Sequence, residues 1–448
     1  MFGNSIGILY SALLSDQKSL EIRNRNVANV NNPDYVKEEP VLQTLPPPGG
    51  VSISDVKRLS DEVLQRQMLK SLTLLKGYEE KKNQISVIQT YFDDGAGSGL
   101  GKLIDNFFRS VLQFLRDPQN EGAKENLLTN AKTLVNSIRS RYQELRNLQT
   151  ELAKKIELTT AKLNTLTERL AKVNKDILFF YSKTKGEGND YKNLLDERDL
   201  LLKELAKYVN IDYSFDKIGR VEVNVKETES IASGYISLVS YDGKANKLSY
   251  DSENKEFTDS LGIVWPQDFF KNGLLGAYVG IYNDIETFKK SLNALAKSLV
   301  EDNRLKLHIK DQDNIEQVAI FRKDNTNTDN QDFASNLDVN ISKNDLDNYD
   351  STKSDLDQDN IKNAWNTIRT QYSDFTAQIS SLYTDYQIKY ETERDLQESL
   401  ETKYAEKTGV NLDEELAEIM KLQQHYQALS KMIATSTRLL DYILNAVR

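Results

Sequence analysis

Between Gly122 and Gly186 the chain carries neither glycine nor proline, and its apolar residues fall on a 3–4 repeat. One row runs Ile138, Leu145, Leu152, Thr159, Leu166, Val173, Phe180, and the other Val135, Tyr142, Gln149, Ile156, Leu163, Leu170, Ile177. Only Thr159 and Gln149 interrupt the two rows. Such a repeat lays an apolar stripe along one helix and winds it on a partner; at 1.5 Å per residue the rod is about 80–90 Å long. A second long helix is predicted after the cap Asp359–Asn360. Its rows are Ile361, Ile368, Phe375, Leu382, Leu396 and Trp365, Tyr372, Ile379, Tyr386, Leu400, weakened midway by Lys389 and Glu393. It reads as the partner of the first rod. Ile281, Ile285, Phe288, Leu292, Leu295 and Leu299 make a third helix, so the middle of the chain is expected to be an elongated antiparallel bundle.

Both ends carry amphipathic helices. Ile6, Leu13, Leu20 and Val27 recur every seven residues before the Asn29–Pro33 breaker. Leu412, Ile419, Tyr426, Ile433, Leu440 and Val447 do so at the other end, with Leu422, Leu429 and Ile443 widening the stripe. Neither stripe has a nearby sequence partner. Isolated helices of this length are marginal in water, so the two are expected to pair as a coiled coil, or dock on neighbouring subunits, and to gain order on assembly. Each fully buried Leu or Ile there contributes about 1.5–3 kcal/mol.

Strand signals are few. Arg220–Val225 alternates, and Tyr235–Tyr241, the turn Asp242–Gly243 and Lys247–Tyr250 read as a hairpin. Leu305–Ile309 and Gln317–Arg322 suggest another pair. Asp and Asn supply 21 of the 50 residues from Asp311 to Asn360, which reads as a solvated, loop-rich excursion. The fold class is therefore mainly α, an elongated antiparallel helical bundle with small β subdomains. The expected units are a terminal assembly domain (1–58 plus 405–448), a long helical bundle (59–210 plus 265–310 plus 360–404), a β module (211–264) and the excursion (311–359).

Composition narrows the chemistry. The 448 residues hold no cysteine and only two histidines, His308 and His425, so thiol chemistry and zinc–thiolate sites are excluded. A formal charge of -10 argues against general nucleic-acid binding. A mean hydropathy of -0.58 suits a thin molecule with much surface. No run approaches the roughly 18 apolar residues of a membrane span, and the first residues do not read as a secretory signal peptide. Gly95–Lys102 imitates a phosphate loop but has Ala96 for its first glycine and Leu103 for the hydroxyl, and reads as a helix connector. A calcium loop begun at Asp345 fails at Tyr349, Asp350 and Leu356. Neither histidine sits near a nucleophile elbow, and Trp365, Tyr372, Phe375 and Tyr386 read as helix core. No catalytic, cofactor or metal residue is assigned.

The identities at the ends carry a resemblance. Ala28-Asn29-Val30-Asn31-Asn32-Pro33-Asp34-Tyr35-Val36-Lys37 resembles the A-N-x-N-T-x-G-Y-x-R signature of flagellar axial proteins, with Asp34 for Gly and Lys37 for Arg. Val410-Asn411-Leu412-Asp413-Glu414-Glu415-Leu416, followed by Gln423 to Ala428, resembles their C-terminal V-N-L-D-E-E-x…Q-x-x-Y-x-A motif. Two internal segments are similar to the hook-associated protein 1 family. Ser98 to Phe108 follows S-G-L-x-x-x-L-D-x-F-F through Leu100, Asp105, Phe107 and Phe108, with Ile104 at the Leu place. Asn193 to Asp199 follows D-L-L-D-Q-R-D through Leu194, Leu195, Asp196, Arg198 and Asp199, with Glu197 for Gln.

The resemblance implies a structural subunit at the junction of hook and filament. It would be exported through the flagellar type III apparatus, be cytoplasmic only before export, and end outside the cell. Implied partners are the hook protein, hook-associated protein 3, a ring of like subunits, and a cytosolic export chaperone on the C-terminal helix. The expected assembly interface is Ile6, Leu13, Leu20, Val27, Asn29, Asn31, Tyr35, Leu412, Leu416, Ile419, Tyr426, Ile433 and Leu440. Rival readings are hook-associated protein 3 or another axial protein, which the Asn193–Asp199 segment argues against, and a coiled-coil adaptor unrelated to flagella, which has no need of the terminal motifs.

Overall fold

The structure is a computed structural model that describes residues 2–32, 35–47, 49–95, 99–186, 189–227, 234–311, 314–324 and 332–446. Two apolar cores lie in series along one long helix, α4 (Glu121–Thr184). Of its two predicted rows every residue is buried except Phe180, which is half-buried. The repeat thus fixes both the length of the helix and the face it hides. Asn120 caps its start by accepting from Ala123 N–H at 3.1 Å, and Lys185 ends it in the left-handed conformation (φ 52°).

The first core joins α3 (Leu100–Arg116), the N-terminal half of α4, α6 (Gly273–Glu301) and the start of α9 (Ser354–Thr408). The second joins the C-terminal half of α4, α5 (Asn189–Ala206), the head of α6 and the β module. That module holds two three-stranded antiparallel sheets: β3 (Ile211–Phe215), β4 (Val221–Val225) and β5 (Ile236–Val239), then β6 (Leu248–Asp251), β7 (Glu256–Asp259) and β8 (Val264–Pro266). α2 (Glu62–Tyr91) packs along both α9 and α6. At Gly77 it meets the α6 N-terminus so closely that a Cβ would lie 3.2 Å from the Gly273 backbone.

Four expectations need correction. The main neighbours of α9 are α2 and α3, with α6, and not the α4 rod. α2 takes that place because its Ile85 and Ile88, with Phe92 just past its end, lie in the first core; Phe92 sets its ring edge-on to Phe375 at 4.8 Å. α9 also begins at Ser354, a turn and a half before Asp359–Asn360. A 3-10 turn capped by Asp350 feeds into it, and Asp355 and Asp357 supply negative charge to its first turn. Third, Asp242–Gly243 does not join a hairpin. β5 pairs with β4 and β6 with β7; across the turn stand the isolated bridge Val239–Ala245 and two backbone bonds, Ser240 N–H to Lys244 C=O at 3.1 Å and Asn246 N–H to Leu238 C=O at 2.9 Å.

Fourth, the described parts of the Asp/Asn-rich stretch pack on the first core instead of standing as a solvated loop. β9 (Lys306–Asp311) pairs with β10 (Asn314–Ala319), and β11 (Phe321–Lys323) with β12 (Leu337–Val339). Ile320, Phe321, Leu337, Ile341, Leu346 and Tyr349 lie in the first core, with Phe321 4.9 Å from Phe107 and Tyr349 5.2 Å from Phe114. Two short helices, α7 (Phe333–Asn336) and α8 (Lys343–Asp347), lie in this stretch, where the carboxylates build turns and caps. Asp345 and Ser342 form a capping box, Asp347 holds the buried Lys124 at 2.5 Å, and Asp357 binds Tyr349 and His308 at 2.9 and 2.7 Å.

At the other end stand α1 (Phe2–Ala28), α10 (Leu412–Ala446) and a hairpin that pattern reading passed over, β1 (Glu38–Thr44) with β2 (Val51–Arg58). Pro40 sits within β1, which pairs on one side only, so its missing N–H costs no ladder bond. The hairpin lies on α1 through Ser11 and Ser15, which bond Val51 N–H and Val51 C=O at 3.1 and 3.0 Å. No described helix is long and apolar enough to cross a membrane.

Candidate assembly site at the neck and terminal helices

Arg23 meets Glu415 at 2.9 Å and Asp16 meets His425 at 2.6 Å, so α1 and α10 run antiparallel within one chain. The predicted residues Ile6, Leu13, Leu20, Val27, Ile419, Tyr426, Ile433 and Leu440 are half-buried, with Ile22 and Leu429 fully buried among them. The stripe read from the sequence is thus largely spent on this intramolecular pair. Leu412 and Leu416 are exposed instead and belong with Met420, at i, i+4, i+8, on another flank of α10. Farther out, Met432, Leu439, Tyr442 and Ile443 form a second exposed patch, and α1 adds Ile8, Tyr10 and Leu14. Sequence reading underrated these because the heptad row took its notice. Tyr442 is 73% and Met420 59% exposed, far beyond what a helix in water gains from being apolar.

Where the pair meets the body, motifs far apart in the chain converge. Glu415, fully buried, accepts from Arg23 at 2.9 Å and Asn26 Nδ2 at 3.1 Å, and Lys37 lies 3.2 Å away. Asn26, also fully buried, donates to Glu38 C=O and accepts from Glu38 N–H and from the Tyr35 hydroxyl at 2.9 Å. Burial pushes the Tyr35 phenol well above its usual range. Glu38 binds Arg25 at 2.6 Å, with Lys192 at 3.5 Å. Every charge in this knot has a partner of opposite sign, which is what buried charge requires. Asn411 caps α10, its Oδ1 accepting from Asp413 N–H at 3.0 Å.

The Asn193–Asp199 motif sits on α5 beside this knot. Arg58, the last residue of β2, binds both Asp196 and Asp199, the latter at 3.1 Å. Burial pushes the Asp196 carboxyl up to about 6 against the pull of Arg58. Asp199 also holds Arg198 at 2.6 Å; Arg198 donates to Gly219 C=O at 2.5 Å and lies over the Phe215 ring at 4.0 Å, tying α5 to the β module. Leu194 and Leu195 pack against the second core. Asn29 closes the last turn of α1 on Arg25 C=O at 2.9 Å, and Asn31 is exposed in the turn that follows. Pro33 and Asp34 of that signature lie outside the described residues, as do Ala96–Ser98 of the helix connector. The other internal motif is core: Leu100, Phe107 and Phe108 are fully buried, and Asp105 accepts from Trp365 Nε1–H at 2.9 Å. Arg23, Asn26, Glu38 and Arg58 were not foreseen, since their partners lie up to hundreds of positions away.

Comparison with known proteins agrees with this layout. Residues 85–303 match the family described as flagellar hook-associated protein FlgK helical domain, and residues 401–446 the flagellar basal body rod FlgEFG protein C-terminal family. Flagellar hook-associated protein 1 of Escherichia coli (strain K12) is 24% identical over 302 residues, covering 65% of this chain. The chain spans about half (54%) of that relative's length. Flagellar hook-associated protein 1 of Bacillus subtilis (strain 168) is 20% identical over 499 aligned positions, covering 97% of this chain and 96% of the relative. The flagellar hook junction protein FlgK structure from Burkholderia pseudomallei aligns over 58% of this chain and 46% of its own, at 18% identity and a TM-score of 0.48. The helical-domain match lies on the body and the rod-family match on α10, so both parts of the chain are similar to flagellar axial proteins of the hook-associated kind.

Proposed function

We propose that the chain is a non-catalytic structural subunit of the flagellum at the junction of hook and filament, built in through its terminal helices. The observation that carries this reading is the second set of apolar residues on α1 and α10, left bare after the two helices have covered each other. A pair satisfied on its inner side and apolar on its outer side is suited to packing among like pairs in a tube. Hook protein, hook-associated protein 3 and further copies of the chain are the neighbours that the likeness to hook-associated protein 1 suggests. Export through the flagellar type III apparatus, with a chaperone on α10 beforehand, belongs to the same reading. The ends of α1 and α10 farthest from the neck gain order when neighbours cover the outer patches.

Electron microscopy of a deletion strain tests the role: hooks without filaments, with unpolymerised flagellin in the medium, are expected. A chain cut after Leu412 is expected to keep its helical body yet fail to restore filaments. Normal filaments in either strain contradict the proposal.

A further inference from the structure

We infer that the neck is a hinge held shut by an ionic latch at Arg58, so that the terminal unit (α1, α10 and the β1–β2 hairpin) can swing as a body once that latch is released. Only two covalent links join this unit to the rest, residues 59–61 between β2 and α2 and residues 409–411 between α9 and α10. Neither large apolar core crosses the links; both end in the body. Open clefts flank them instead. One of about 410 Å³ lies between the turn after α1 and the face made by Met68, Leu200 and Tyr404, and another of about 780 Å³ lies beside Gly409 and Leu412. The bonds that cross the gap include Arg58 on Asp196 and Asp199, Lys192 on Glu38, and Lys37 N–H on Thr408 C=O at 2.9 Å, and the buried Val36 lines the same cleft as Met68.

Arg58 dominates this set. Its side chain is 10% exposed and grips two carboxylates on α5, one of them braced from behind by Arg198. Apolar packing tolerates sliding, but a forked ion pair is lost when its partners shift by an ångström or two. Removing the guanidinium also leaves Asp196 and Asp199 as neighbouring like charges, which favours opening the cleft to water. The latch therefore sets one angle between terminal unit and body, and its loss frees the angle without unfolding either part.

The chain has no cysteine, so Gln43→Cys on the hairpin and Thr150→Cys on α4 accept spin labels at these two sites alone. Double electron–electron resonance on the full-length labelled chain is expected to give one narrow distance distribution. Adding Arg58→Ala should broaden it while far-UV helicity stays unchanged, and the swap Arg58→Asp with Asp196→Arg should restore the narrow peak. If Arg58→Ala lowers helicity, Asp196→Asn with Asp199→Asn tests the same latch from the body side. Distributions that stay narrow without the latch overturn the inference, as does a parent distribution already as broad as the variants'.

Discussion

Glu227, two residues past β4, is a largely buried carboxyl whose ionised form burial disfavours. Its pKa is pushed up to about 7, although Asn272 Nδ2 donates to it at 2.6 Å. A carboxyl raised in the folded state contributes stability below its unfolded pKa near 4.5 and loses it as pH rises through about 7. Glu227→Gln is therefore expected to leave thermal stability unchanged at pH 4 and to raise it at pH 8, by on the order of 2 kcal/mol after allowing for partial exposure. Melting curves at the two pH values check this, and a loss of stability at pH 8 contradicts it. Residues of this kind are the hardest to read from sequence. Asp196, Arg198 and Asp199 stood out because they sit in a motif. Arg58, 138 positions from Asp196, carried no local sign of its role. Glu415 was legible only as a letter of the C-terminal motif, and Asn26 read as an ordinary polar position on an amphipathic helix, until the fold closed around them.

At the scale of elements, periodicity was informative where a helix packs along its whole length and poor where packing changes side. α4 was legible because two cores in series ask the same face of it throughout. Leu152→Ala, at a fully buried row position, is expected to cost about 2–5 kcal/mol in denaturant unfolding. Leu158→Ala, 60% exposed on the same helix, is expected to stay within about 0.5 kcal/mol. Equal losses at the two sites would show that the register is misassigned. α2 was not legible as a partner helix, since it divides its apolar residues between α6 and α9. The stretch after Asp311 misled for a different reason. Its few apolar side chains suffice to fill the end of a core, and its carboxylates are consumed by caps and by Lys124 and His308, so composition alone mistook turn-building for solvation.

The whole molecule is a rod with two serial cores, a polar neck and a terminal pair of helices, and its fold class and terminal motifs were readable before any coordinates. The division of the terminal surface into an inner and an outer set was not. A heptad row identifies which residues want burial; it does not say whether the same chain or another supplies the cover. Here the same chain covers the row, while Leu412, Leu416, Met420, Met432 and Leu439 stay exposed. The outer patches are thus the central claim, and charge placed on them tests it most directly. A strain carrying Met432→Glu with Leu439→Glu, compared with one carrying Gln424→Glu at an exposed polar position of the same helix, is scored for filaments by electron microscopy. The account predicts bare hooks in the first strain, normal filaments in the second, and unchanged helicity of both purified chains. Full-length filaments on the doubly charged strain would contradict it.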